Sequence, residues 1–303
     1  MRRVTGLPDE QVLAWEEKLE AQVVASLQAV MDKIAARIEK IQVASGLGVL
    51  VAVATTGPTG DDDPPPMTGE LAIPEPVPLP EVLPETPGLP PGQPYISPDD
   101  LASITPLWQS EVVNQVLPLV AQVFIDSAGH LRSQMLDHVA PGVVLGVPGL
   151  GSVAAESYLA QARNTYEQVG DHLWATARAQ LSEGFEAGES IPQLSARLRQ
   201  SAGLSARTAV MVARTSVIEA SNAGSMSMAR ASGVELLKSW QATNDLRTRP
   251  AHLAAEAQYE ADPIPLNQPF IVGGYPAQYP AADTLPPAQR YRCRCTTLYL
   301  MPD

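Results

Sequence analysis

Cysteine is almost missing from this sequence: there are two in 303 residues, and they stand one residue apart as Cys293 and Cys295. That excludes a disulfide framework, because a Cys-x-Cys bridge closes only a small strained ring. A reducing cytoplasm is the simpler expectation for synthesis. Aromatic residues are scarce as well, at 5%, so a core must be built from Ala, Val, Leu and Ile, which favours helices packed through small side chains. Long apolar runs are missing too. Residues 47–54 come nearest, interrupted by Gly48 and far short of the ~20 residues that a membrane span requires, so no membrane partner is expected. Basic charge is in deficit, with 20 Lys and Arg against 33 Asp and Glu and a net charge of -13; a dedicated DNA binder shows the opposite balance. Met1-Arg2-Arg3 leads into Asp9, Glu10, Glu16 and Glu17 rather than an apolar stretch, which argues against a signal peptide. There is no G-x-S-x-G, no H-E-x-x-H, no phosphate loop and no internal repeat.

What the chain does have is an apolar fraction of 45%, enough for a buried core, and a length that leaves room for two domains. Its composition divides it into four stretches. Residues 1–54 form an amphipathic helical segment: Val12, Leu19, Val23, Leu27, Val30, Ile34, Ile38 and Ile41 recur every three or four residues between polar ones, giving one apolar stripe. Residues 55–98 form an acidic proline-rich linker, with Pro64-Pro65-Pro66, Pro74, Pro76, Pro78, Pro80 and Pro90-Pro91 too dense for helix or central strand. An extended polyproline conformation at ~3 Å per residue gives such a tract long reach.

Residues 99–233 form a helical body. Asp99 and Asp100 are candidate caps, Leu107 to Leu136 shows one or two helices, and 152–181 is a long helix stopping near Gly184 and Gly188. Ser190, Pro192 and Gln193 fit a capped start for a short helix over 192–200 that ends at Gly203, followed by a helix over 205–231. Residues 234–303 change period. A strand is predicted over 234–240 and a second over 291–300, carrying both cysteines. The fold class is therefore mostly α with a small C-terminal α+β end. The isolation of the first helix beyond a proline tract points to docking through Leu19, Val23, Leu27, Val30, Ile34 and Ile38, on another protein or on copies of itself; an ordinary core-facing helix is the alternative.

The densest chemistry lies in the last stretch. Asp245-Leu246-Arg247-Thr248-Arg249-Pro250-Ala251-His252 places a carboxylate, two guanidinium groups and an imidazole close together, and Cys293-Arg294-Cys295 answers it downstream. In an extended strand the two thiols point to one face. Asp245, His252, Cys293 and Cys295 could then be a tetrahedral Zn2+ site, a set of hydrogen-bonded and buried groups without metal, or a labile disulfide. Arg247, Arg249, Arg290, Arg292 and Arg294 form the densest basic cluster, suited to phosphate contacts with DNA or to internal pairing with Asp245, Asp283 or Glu256. His130, His138 and His172 lie scattered in helical patterns and suggest no site.

The order of motifs is itself informative. Gly188-Glu189-Ser190-Ile191-Pro192 is followed by Ala213-Arg214-Thr215 with Asn222 and Gly224. Then come Trp240-x-Ala242-Thr243-x-Asp245-x-Arg247-Thr248-Arg249-x-x-His252, a Tyr-Pro-rich loop and Cys293-Arg294-Cys295. Over roughly residues 150–300 this resembles the minor head protein family of tailed phages typified by the phage Mu F protein, the head morphogenesis family. The usual Leu-Asp-Gly-Gln turn after the histidine is replaced by Leu253-Ala254-Ala255-Glu256-Ala257-Gln258. The resemblance implies a virion component in the phage head, made in the host cytoplasm during assembly. It further implies the portal protein and the major capsid protein as partners, a role in head assembly or DNA packaging and ejection, packaged DNA as a further contact, and no established catalysis. A capsid-maturation hydrolase using Cys293 or Cys295 with His252, and a DNA-organising protein near the portal, are the competing expectations.

Overall fold

A computed structural model describes residues 2–44, 112–140, 142–146, 148–149, 151–189 and 191–301. The proline-rich linker and the caps expected at Asp99 and Asp100 lie outside the described residues. The chain is mostly helical, with a small β region close to its C-terminus.

Among the described residues four long helices make the body: α1 (Asp9–Ala44), α2 (Leu117–Leu136), α3 (Val153–Glu186) and α4 (Ile191–Ala231), with a π-helical turn at Val112–Val116 leading into α2. Helix α4 is the axis, and the other three pack on it. The apolar stripe of α1 faces inward: Leu19, Val23, Leu27, Val30 and Ile34 are all buried in one cluster with Val212, Val217 and Ala220 of α4. This corrects the docking assignment. The stripe is used up inside its own chain, because an apolar face at helical spacing buries most area against the longest helix available. Ile38 belongs to α1, and its side chain lies outside the described ones. Arg214 of α4 also pairs with Glu20 of α1.

The junction of α2 and α4 is closer still. A Cβ on Gly224 would run into the backbone carbonyl of Phe124, so only glycine lets these helices approach so nearly. Beside it the Ser127 hydroxyl donates to the Ser221 carbonyl at 2.7 Å and meets Ser225 Oγ at 2.7 Å, which satisfies hydroxyls that are otherwise buried.

The sequence expectation of two helices separated at Gly203 is replaced by a single α4. Glycine lowers helix propensity by about 1 kcal/mol, and packing on either side of it, through Leu194 and Leu198 and then Ala209 to Ala223, outweighs that.

Beyond α4 come β2 (Leu237–Gln241), α5 (Pro250–Ala261), β3 (Ile264–Pro265), β4 (Phe270–Val272), β5 (Tyr275–Ala277), α6 (Pro287–Arg290) and β6 (Thr296–Met301). An additional strand, β1 (Arg2–Thr5), precedes α1 and was not expected. The four-stranded sheet has the order β1-β6-β2-β3 and is antiparallel throughout, with Arg2 opposite Met301 and Gln241 opposite Thr296. Within the segment assigned to 1–54, the described residues 2–44 join the rest of the chain: β1 pairs in the C-terminal sheet and α1 packs in the helical core. Strands β4 and β5 form a hairpin closed by Gly273 and Gly274, both at positive φ (59° and 87°), as a two-residue turn of this hand requires.

Candidate functional site

The C-terminal motifs meet where α4, β2, α5 and the approach to β6 come together. Pro250 opens α5 at a position where its missing N–H costs nothing. His252, Ala255 and Tyr259 follow at a spacing of three and four, so all three are buried on one face. His252 is 2% exposed, and the edge-on Trp240 ring of β2 lies 5.5 Å away, centroid to centroid. Trp240 in turn packs on Phe270, and Phe270 on Tyr259.

Both cysteines are free thiols and buried. They lie just before β6 rather than in it, which corrects the expected strand over 291–300. A local kink precedes both of them. Arg292 sits at φ 60°, a left-handed conformation that a non-glycine residue adopts only when its surroundings enforce it. Here its N–H donates to Thr215 Oγ1 of α4 at 3.1 Å. Downstream, the Asn222 amide donates to the Cys295 carbonyl at 3.1 Å and accepts from the Thr297 N–H at 2.9 Å. Two residues of α4 therefore set the path of the Cys293-Arg294-Cys295 segment.

Along that path the sulfurs converge on one nitrogen. His252 Nδ1 is 3.3 Å from Cys295 Sγ and 3.8 Å from Cys293 Sγ, while Nε2 is 3.0 Å from Gln289 Oε1. The hydrogen bond from Cys295, aided by His252, holds the Cys293 thiol well below the usual thiol range despite its burial. The Cys295 thiol is pushed far up, first by its hydrogen bond to Cys293 and then by burial.

Asp245 is not part of this cluster, contrary to expectation. It is exposed, and its carboxylate pairs with Arg294 at 2.5 Å and accepts from the Arg247 N–H and the Thr248 hydroxyl. These bonds, the one to Arg294 first, hold its carboxyl below the usual carboxylate range. The turn that Asp245 caps starts at Asn244, which has φ 57° and is fixed by Glu256 of α5, whose Oε1 accepts from Asn244 Nδ2 and from the Ala242 N–H. Geometry therefore keeps the carboxylate on the outer side of the turn while His252, in the first turn of α5, enters the core.

The arginines separate in the same way. Arg290 is turned inward and donates to Glu219 of α4 at 2.8 Å, a partner not anticipated from the sequence. That pairing, with its side chain only 13% exposed, takes it out of an outward-facing basic cluster. Arg249 donates to the Tyr291 carbonyl at 2.7 Å and Arg294 is held by Asp245. Arg247 is exposed. Glu219 also accepts from Gln161 of α3 at 2.8 Å, yet its pKa is pushed up to about 7, chiefly by burial and against the pull of Arg290. Gln289 and Glu219 carry no signal in the sequence, and Glu256 is expected only as a partner for the arginines, because Gln and Glu are ordinary surface residues of helices. Only the fold shows what they face.

A family model described as "Phage Mu protein F like protein" matches residues 175–298, from within α3 to within β6. No curated protein and no solved structure matches the chain.

Proposed function

We propose, on the premise that residues 175–298 belong to the phage Mu protein F-like family, that this protein is a minor head protein working at the portal vertex or on the inner side of the phage head. The match over residues 175–298 supports a phage head-related protein; the portal and major capsid partners and the role in assembly or packaging are the finer part of the reading. The observation that supports it best is what the family-like motif residues do. Thr215, Asn222, Gly224 and Trp240 each clamp one element on another rather than line an open cleft, as expected of a protein that acts by holding a shape.

The same observation counts against the hydrolase. A cysteine nucleophile must reach a substrate carbonyl, and both thiols and His252 are only 2–3% exposed. It also weakens the DNA-organising reading, since Arg290 is internal and Arg294 and Arg249 already have protein partners. With the α1 stripe buried, docking falls to outer surfaces and to the proline-rich linker. No described helix is long and apolar enough to cross a membrane.

Two measurements test the proposal: mass spectrometry of purified particles, and native mass spectrometry of the full chain mixed with the portal protein of the same particle. A few copies per head and a stable portal complex are expected. Absence from heads, or incorporation that does not depend on the portal, would overturn the assignment.

A further inference from the structure

We propose that His252, Cys293 and Cys295 are a Zn2+ site of the two-thiolate, one-imidazole kind, stapling the first turn of α5 to the approach to β6. Distances come first. Zinc bonds of about 2.3 Å to sulfur and 2.0–2.1 Å to nitrogen in a tetrahedron place each sulfur about 3.5 Å from the nitrogen. The two separations found, 3.3 and 3.8 Å, lie on either side of that value, and all three donor atoms are within 4.8 Å of one another. A hydrogen bond would need only one sulfur at Nδ1; two are present.

The imidazole is also prepared for this role. Gln289 Oε1 only accepts, so the ring hydrogen stands on Nε2 and donates to it at 3.0 Å, which leaves the Nδ1 lone pair aimed at the sulfurs. Metal-bound histidines commonly have their second nitrogen anchored in this way. The third observation is preorganisation: the left-handed Arg292, fixed by Thr215, and the carbonyl of Cys295, fixed by Asn222, hold both sulfurs in place through backbone contacts alone.

Thiolates with an imidazole select zinc over calcium or magnesium. Among the described residues no fourth His, Cys, Asp or Glu joins the three, and Asp245 is committed to Arg294, so the fourth position falls to water. Zn2+ enters, both thiol protons leave to solvent, and no redox partner is needed.

The test uses the full chain, reduced, incubated with Zn2+, freed of excess metal and weighed by native mass spectrometry with elemental analysis alongside. About one zinc per chain is expected, held by three protein ligands with water in the fourth position. Cys293→Ser and Cys295→Ser should each lose it. Asp245→Ala should keep it fully, and Gln289→Leu should weaken retention by about 10–100-fold. Should a serine variant fail to fold, the wild-type protein loaded with Co2+ decides, because thiolate ligation gives a sulfur-to-cobalt charge-transfer band. No bound zinc, Co2+ uptake without that band, a mass two hydrogens short from a Cys293–Cys295 disulfide under reductant, or loss of zinc in Asp245→Ala would each overturn the site.

Discussion

The helical body and the C-terminal α+β region stabilise themselves in different ways. The body relies on apolar area and close approach: Leu19, Leu27 and Val30 against α4, and Gly224 against the Phe124 backbone. The C-terminal region has short strands and a helix of only 12 residues. It relies instead on particular partners: His252 with two sulfurs and Gln289, Lys238 Nζ with the Gln278 carbonyl at 2.8 Å and the Phe270 ring, and Asn222 with two backbone groups of the β6 approach. Area tolerates substitution by degrees. Partnership fails one bond at a time, and a stranded buried polar atom costs more than the bond was worth.

Removing residues 2–44 breaks the contrast most severely, because the stripe of α1 is core to the body and β1 is an edge of the C-terminal sheet. The truncated chain should show no cooperative denaturant transition by circular dichroism; a folded remainder would restore the detached-arm picture. Leu27→Ala should cost about 2–5 kcal/mol in denaturant unfolding, as buried leucines do.

The Glu219–Arg290 pair joins the two regions and gives a pH signature. The folded pKa of Glu219 is raised, from 4.5 to about 7, so its stabilising share is complete below pH 4.5 and disappears as pH rises through about 7. That share is on the order of 3 kcal/mol at most. In Glu219→Gln the decline between those pH values should flatten; an unchanged pH profile would show that Arg290 keeps the carboxylate ionised throughout.

Asn222→Ala leaves two buried backbone groups unpaired and should cost about 1–3 kcal/mol, with the loss concentrated in hydrogen-exchange protection of β6 and not of α1. Uniform loss would erase the distinction between the regions. Smallest of all, Asp245→Ala lies in an exposed turn and should leave the unfolding midpoint where it was.

Much of this was legible in the sequence, for identifiable reasons. The periodic stripe of α1 and the pattern over 152–181 gave their helices, and the burst of Cys and His in a chain poor in both marked the buried cluster. What the stripe would pack on was not legible, since periodicity reports a face and not its partner. β1 was missed because Arg2-Arg3-Val4-Thr5 becomes a strand only by pairing with β6. α5 was missed amid prolines and glycines, although Pro250 followed by an alanine-rich run is itself a helix start. Asp245 was placed with the cysteines by residue type, whereas the left-handed Asn244 and the hold of Glu256 turn it outward.

The pairing of β1 with β6 also has a consequence for biosynthesis. β1 finds its neighbour only when Leu298–Met301 has left the ribosome, so α1 emerges with its apolar stripe uncovered and waits for α4 and then for β6. Such long-range closure slows folding and prolongs exposure to aggregation. Chaperone capture of nascent chains, and slow acquisition of the native state after release, are what this order of synthesis leads one to look for.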